Sequence, residues 1–141
     1  MVNRAIFPSR SRLLHRYDPA FPGIGVPVVL SSGVVTIKTI AKLDTGASFC
    51  IFKREHGEEL GLDVETGTPQ RIGTATEPFL VYGHNVSLSA LGFDFYAMVF
   101  FAANTGFRRN VLGRRGWMER IRLALVDYDG ELYASRYDDA T

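Results

Sequence analysis

The residues best suited to chemistry lie in one short stretch, Asp44-Thr45-Gly46, which has mostly apolar residues on both sides. This pattern places an acid at a tight bend between two strands that are predicted to be buried. Because a lone buried carboxylate costs several kcal/mol, an aspartate in this setting indicates a functional site. The alternative is an ordinary hairpin turn, since Asp and Gly are common turn residues. The tripeptide alone does not separate the two interpretations.

A second motif lies about 65 residues further along the chain. Residues 110–114 read Asn-Val-Leu-Gly-Arg, and the following run, 115–120, is predicted to form a short helix. With an Asp-Thr-Gly-Ala loop followed at this distance by an apolar-apolar-Gly-Arg segment, the sequence resembles the retropepsins. These are the aspartic proteases of retroviruses and their cellular and bacterial relatives. The resemblance extends over about residues 26 to 137.

The resemblance implies a mostly β fold, namely a closed single-lobe β-barrel of the acid-protease type with one or two short helices. Residues 24–141 would form the protease domain. Residues 1–23 mix arginines with prolines and are predicted to be a basic arm that is extended or partly ordered. A chain of 141 residues has room for one such lobe and not two.

Local patterns in the sequence agree with a β-rich domain. Two segments rich in β-branched residues, 26–30 and 34–43, predict a hairpin joined at residues 31–33, and the second strand ends at Asp44. Further strands are predicted over 48–52, 79–82, 86–91 and 93–101, a short helix over 53–60, and a closing hairpin over 121–137.

By resemblance, Asp44, Thr45 and Gly46 are the catalytic residues. Peptide hydrolysis by water needs a base and an acid, and two carboxylates about 3 Å apart supply both because they do not easily ionise together. The chain contains one Asp-Thr-Gly, and neither 127–130 (Asp-Tyr-Asp-Gly) nor 65–67 (Glu-Thr-Gly) matches it. The second aspartate must therefore come from another copy, so that a homodimer is required for activity. Thr45 would link the two loops, and Gly46 would let backbone amides support the carboxylates.

The resemblance also assigns residues to peptide binding and to support of the aspartate loop. Retropepsins carry a flap, a hairpin that closes over bound peptide, and its predicted tip here is 73–77. The alternative is an ordinary exposed hairpin. The predicted substrate-binding residues are Ala47, Ser48, Ile72, Gly73, Thr74, Ala75, Thr76 and Val111, and the predicted supporting residues are Leu112, Gly113 and Arg114.

Three features depart from the retropepsin pattern. Retroviral members often have an acid at the position of Ser48 that can pair with the arginine of the second motif, so Arg114 needs another partner here. Many relatives have Asp or Asn where this chain has Arg115, and the predicted flap tip contains fewer glycines. These departures favour an alternative function, a catalytically silent retropepsin-fold module that dimerises or binds peptide.

The remaining composition argues against several other functions. A net charge of +1 gives no overall attraction to nucleic acid or membranes, although the arginine-rich arm leaves a nucleic-acid partner as a weaker alternative. Charges and prolines interrupt the first thirty residues, where a signal peptide would need an unbroken apolar core, and no stretch approaches the length of a membrane span. A single cysteine allows no intrachain disulfide. We therefore expect a cytoplasmic protein whose partners are an extended polypeptide substrate and a second copy of the chain.

Neither a thiol nucleophile nor a cofactor is predicted. Cys50 with His56 or His84 would be a conceivable thiol pair, but a cysteine in an apolar strand is typical of a core. The three histidines are too scattered to form a metal site. The Gly23-Ile24-Gly25 segment lacks the strand-to-helix context of a phosphate-binding loop.

Overall fold

The computed structural model describes residues 13–138, which form a mostly β structure with one α-helix. The strands are β1 (Leu13–Arg16), β2 (Gly25–Ser32), β3 (Val35–Leu43), β4 (Ile51–Phe52), β5 (Thr68–Ile72), β6 (Phe79–Ala90), β7 (Phe93–Ala102), β8 (Val111–Leu112), β9 (Ile121–Val126) and β10 (Glu131–Arg136). The α-helix is α1 (Arg54–Glu59), and 3-10 turns cover Val64–Thr66, Met118–Arg120 and Asp127–Asp129. Within 13–138 no helix is long and apolar enough to cross a membrane.

Seven strands form one sheet in the order β2-β3-β8-β4-β7-β6-β5. Because β2 also pairs with β6, six of them close into a ring, and β5 extends from β6 as a hairpin. Most pairs are antiparallel, but β8 runs parallel to β3 and β4 runs parallel to β7. The predicted closed β-barrel is therefore confirmed.

The β2–β3 hairpin forms the wall that leads to the aspartate loop. Val26, Val28 and Leu30 point into the barrel and are at most 1 % exposed. The strands run up to Ser32 and resume at Val35, so the turn is the pair Gly33 and Val34 rather than residues 31–33. Gly33 has a φ of +60°, which glycine adopts without steric cost. The predicted hairpin is thus confirmed with a slightly shifted turn.

Strand β6 corrects one prediction, because residues 79–82 and 86–91 belong to a single continuous strand. Val81 faces a small apolar cluster with Ile51 and Phe100, whereas Val86 and Leu88 face the main barrel core. Between these two clusters, the side of the strand that faces inward changes. The apolar alternation is therefore interrupted, and in the sequence this interruption looks like a gap between two strands. Gly83 lies in the middle, where a Cβ would come within 2.8 Å of Phe100.

The predicted strand over 48–52 is also shorter than expected. Only Ile51 and Phe52 form β4, and Phe49 makes an isolated parallel bridge to Arg115. The predicted helix over 53–60 is confirmed as α1, which is followed by Gly61 with a φ of +80°. The predicted strand over 93–101 is confirmed as β7.

A second sheet, in the order β1-β10-β9, contains both ends of the described chain. The predicted closing hairpin is confirmed as β9 and β10, with Gly130 at a φ of +66° in the turn. The last part of the predicted basic arm contributes β1, which pairs with β10 through residues such as Leu13 and Ala134. Arg4, Arg10 and Arg12 lie outside the described residues.

Candidate active site

The loop that carries Asp44 is positioned by the end of β3 and by β8. Leu43 lies opposite Leu112 in the parallel pair, and the Asp44 N–H donates to the Leu112 carbonyl at 3.1 Å. The Ala47 N–H donates to the Asp44 carbonyl at 3.2 Å, which closes a tight turn. Within that turn the Gly46 N–H donates to Asp44 Oδ1 at 2.9 Å. The sequence Asp-Thr-Gly therefore forms a bend in which a backbone amide supports the carboxylate.

Gly113 lets the second motif pass directly under this loop. A Cβ at position 113 would lie 2.2 Å from the Phe49 carbonyl oxygen and 2.8 Å from that of Ala47. The next two backbone amides bind the aspartate loop: the Arg114 N–H donates to the Ala47 carbonyl at 2.9 Å, and the Arg115 N–H donates to the Ser48 carbonyl at 3.0 Å. A glycine at position 113 therefore brings the backbone of the second motif into close contact with the aspartate loop.

Asn110, which precedes β8, fixes the second motif to the rest of the barrel. Its side chain is buried, and its Oδ1 accepts the Lys53 N–H at 3.0 Å. Its Nδ2 lies 2.9 Å from Thr39 Oγ1 and 3.3 Å from His56 Nε2. One amide therefore joins β3, α1 and β8 just before the loop. Sequence reasoning placed Asn110 in the motif but gave it no role.

The predicted helix over 115–120 is wrong except for the 3-10 turn Met118–Arg120. Gly116 has a φ of +106°, which is outside the helical region, and its N–H donates to Glu119 Oε2 at 2.6 Å. Trp117 is fully buried in the main core, where its indole N–H donates to Ala90 O at 3.3 Å. The large Trp117 side chain directs this segment inward, and Met118 packs against the same core.

Asp44 lies in a cleft of about 440 Å³ between the aspartate loop and the β5–β6 hairpin. In this single chain the Asp44 side chain is half-buried, so the carboxylate is less desolvated than the sequence pattern suggested. The predicted site residues that line the cleft are Asp44, Gly46, Ala47, Ser48, Ile72, Gly73, Thr74 and Val111.

The other predicted site residues lie outside this lining. Thr45 is exposed on the loop, Thr76 lines a neighbouring groove, and Ala75 lines neither. Leu112 is fully buried behind the loop. Arg114 lies beside Ser48 in a separate groove. Within 13–138 the Arg114 side chain has no ion-pair partner, and the individual roles of all these residues stay predictions.

The predicted flap tip is the connection of a real hairpin. Ile72 lies opposite Phe79 in the β5–β6 pair, and residues 73–78 join the two strands. The Glu77 N–H donates to Thr74 Oγ1 at 3.1 Å, which stabilises the tip. Residues of this hairpin line the cleft together with Asp44, and its role as a flap stays a prediction.

Sequence reasoning missed six residues of the cleft lining, which lie outside the two motifs and the predicted flap tip. They are Phe49, Ile51, Arg71, Phe79, Phe107 and Arg109. Hairpin register would have found Phe79 opposite Ile72. The two-residue spacing of an extended chain would have placed Arg109 on the same side as Val111.

The buried thiol does not take part in this site. Cys50 is fully buried, its sulfur lies 3.4 Å from the Arg115 carbonyl oxygen, and burial raises the pKa of the thiol to about 12. His84 Nε2 lies 2.9 Å from the Val64 carbonyl oxygen instead. No group of three His, Cys, Asp or Glu side chains between residues 13 and 138 could hold a metal ion. The thiol-nucleophile alternative therefore has no geometric support.

Comparison with known proteins agrees with this arrangement. The family model described as aspartyl protease matches residues 26–116, which include the aspartate loop, the hairpin and the second motif. The chain belongs to the aspartyl protease family. A search of curated proteins found no match to this chain.

Among solved structures, this chain is similar to a retropepsin-like aspartic protease from Rickettsia conorii. The two share 18 % sequence identity with a TM-score of 0.63, and the similarity covers 86 % of this chain and 97 % of the other. At this identity the likeness concerns the fold, and it confirms the predicted retropepsin-like architecture.

Proposed function

We propose that this protein is a homodimeric aspartic endopeptidase that hydrolyses polypeptides with a water molecule held between the Asp44 carboxylates of two copies. The observation that carries the proposal is the bend at Asp44, where the Gly46 amide supports Oδ1 and the side chain faces an open cleft. Among the described residues nothing donates a hydrogen bond to Oδ2, so this oxygen is available to a water molecule.

In the proposed mechanism the two aspartates share the acid and base roles. One carboxylate removes a proton from the water as it attacks the peptide carbonyl carbon. The other, protonated, carboxyl donates its proton to the carbonyl oxygen. When the C–N bond then breaks, the carboxyl that took the water proton gives it to the leaving amine, and the other carboxylate takes a proton from a hydroxyl of the tetrahedral diol. The pair thereby returns to its starting protonation state. A peptide in the cleft would lie between the aspartate loop and the β5–β6 hairpin.

The requirement for a dimer follows from the contents of the cleft. Asp44 is the only acid among the residues that line it, so a single copy holds one carboxylate and cannot supply both roles. Thr45 is exposed on the loop, where its hydroxyl can reach a second copy. Arg114, which has no ion-pair partner between residues 13 and 138, also lies next to this loop and is available to a partner subunit.

The variant Asp44→Asn tests the proposal because it keeps the size of the side chain and removes the acid. We expect proteolysis to fall by roughly 10⁴-fold or more, since general acid and general base catalysis each contribute about 10² to 10⁴. Circular dichroism and sedimentation should show an unchanged fold and an unchanged dimer. Undiminished cleavage by the purified variant would refute the proposal.

A catalytically silent peptide-binding or dimerisation module is the second candidate. The observation in its favour is Ser48, which stands where retroviral members often have an acid and leaves Arg114 without an ion pair in the described chain. Cleavage of a peptide library from acid to neutral pH, with and without pepstatin, separates the two functions. Binding of peptides without any pepstatin-sensitive cleavage would support the silent module.

A further inference from the structure

We infer that the cleft contains a subsite for an acidic side chain of the substrate, formed by Arg71 and Arg109. This inference rests on the proposed function and adds a substrate preference to it. Both arginines line the same cleft as Asp44, on the side of the hairpin and on the approach to β8 respectively.

Several arginines of the domain have their charge paired with a carboxylate, whereas among the described residues Arg71 and Arg109, like Arg114, do not. Arg54 pairs with Glu58 and Glu65, Arg108 pairs with Glu55, and Arg16 pairs with Glu131. Within 13–138 neither Arg71 nor Arg109 forms an ion pair. Their guanidinium groups are exposed and therefore available to a bound ligand.

The charge balance of the cleft favours an anionic group. Asp44 is its only acidic lining residue, whereas Arg71 and Arg109 each bring a guanidinium group. In the proposed dimer, the two copies together place four such arginines and two aspartates around the cleft. The cleft thus has an excess of positive charge, and an acidic peptide side chain would be attracted while a basic one would be repelled.

Arg109 is held in place by an aromatic wall. Its guanidinium carbon lies 5.7 Å from the centre of the Phe107 ring, and Phe107 stacks on Phe79 with ring centres 5.0 Å apart. A guanidinium over an aromatic face keeps its in-plane N–H groups free to bind a carboxylate. Stacking also reduces the conformational freedom that Arg109 would lose when it binds a ligand.

Arg71 is placed by the register of the hairpin. It lies opposite Leu80 in the β5–β6 pair and directly precedes Ile72, which also lines the cleft. Closure of the hairpin over a peptide would bring Arg71 along with the flap tip. Glu77 lies in the neighbouring groove, which Arg109 also lines, but it forms no ion pair with Arg109 and does not line the cleft.

The test compares peptides that differ at one position. A peptide cleaved by the wild-type protein is resynthesised with Glu, Gln or Lys at each position around the cut bond. We expect at least one position at which Glu raises kcat/KM over Gln by roughly fivefold and Lys lowers it, which is the scale of partly exposed ion pairs. The preference should weaken as ionic strength rises from about 0.05 to 0.5 M.

Arg71→Gln and Arg109→Gln should each reduce this ratio of Glu to Gln, and the double variant should abolish it. Arg108→Gln is the matched control, because it removes a neighbouring arginine that pairs with Glu55 and does not line the cleft. Its ratio should equal that of the wild type. Equal cleavage of Glu and Gln peptides at every position would overturn the inference, as would a preference that survives in the double variant.

A second measurement keeps the inference separate from the proposed catalysis. Fluorescence anisotropy of the same labelled Glu and Gln peptides with Asp44→Asn reports binding without cleavage. Tighter binding of the Glu peptide, lost in the Arg71→Gln/Arg109→Gln background, supports the subsite even if the wild-type protein cleaves nothing. Equal binding of the two peptides, or no binding, overturns the subsite whether or not the protein is a protease.

Discussion

The close approach at Gly113 makes a sharp prediction for Gly113→Ala. The new methyl group would lie 2.2 Å from the Phe49 carbonyl oxygen, whereas ordinary contacts begin at about 3.4 Å. The aspartate loop and the second motif must therefore separate by about 1.2 Å. The obstructing atoms are backbone atoms of Ala47 and Phe49, so no side-chain rotation can relieve the clash.

The separation of the aspartate loop from the second motif in Gly113→Ala should lower both the stability of the protein and its peptidase activity. It stretches the two backbone hydrogen bonds from residues 114 and 115 to the loop, and overpacking of this kind costs about 1–3 kcal/mol. A displacement of about 1 Å at a catalytic group can lower the rate by about 10²-fold. We expect the free energy of unfolding to fall by about 1–3 kcal/mol and kcat/KM to fall by about 10²-fold, most of it in kcat.

Urea unfolding and peptide cleavage by the folded fraction measure the two effects. Gly73→Ala is the control for stability, because a Cβ there meets no atom within 4 Å and its φ is not positive. Its free energy of unfolding should match that of the wild type. A Gly113→Ala protein with wild-type unfolding and wild-type kcat/KM would refute the close approach and its role in positioning Asp44.

Three further predictions concern groups around the site. Asn110→Ala should lower the free energy of unfolding by about 2–3 kcal/mol, measured by urea titration, because it leaves the Lys53 N–H without its acceptor. An unchanged midpoint would contradict this anchoring role. Cys50 should resist iodoacetamide at pH 8 in the folded protein and react after unfolding, since burial raises its pKa to about 12; rapid labelling of the native protein would contradict that. A hydrogen bond from the Arg54 side chain lowers the pKa of Glu65 in the folded protein. The pair therefore stabilises the protein at pH values above the ordinary carboxyl pKa, and this stabilisation is lost as the pH falls through the lowered pKa. The stability difference between wild type and Glu65→Gln should therefore shrink below about pH 4, and a constant difference would argue against the pair.

Local sequence patterns predicted the parts of the fold that depend on short-range physics. Two segments rich in β-branched residues predicted the β2–β3 hairpin, and the two motifs identified the aspartate loop and the glycine that contacts it. The continuity of β6 was hidden because Val81 and Val86 face different apolar clusters. The apolar pattern within one strand cannot reveal that its inward face changes from one cluster to another, because each cluster also contains residues from distant parts of the sequence.

The composition of the cleft was predicted only in part for a similar reason. Asp44, Ala47 and Val111 could be found because they belong to motifs. Arg109 lies outside the motifs. Its two-residue spacing from Val111 was available in the sequence, but its stacking on Phe107, which packs on the distant Phe79, was not. The segment after Arg115 looked helical from composition, but Gly116 adopts a left-handed conformation that ends any helix there.

The bonds from residues 114 and 115 to the aspartate loop have a consequence for biosynthesis. The ribosome releases the loop well before it releases those residues, and chains fold from the N-terminal side as they emerge. Until Arg115 has left the exit tunnel, the loop has no support from below and β3 has no β8 beside it. We therefore expect the aspartate bend to form only after both segments have left the ribosome.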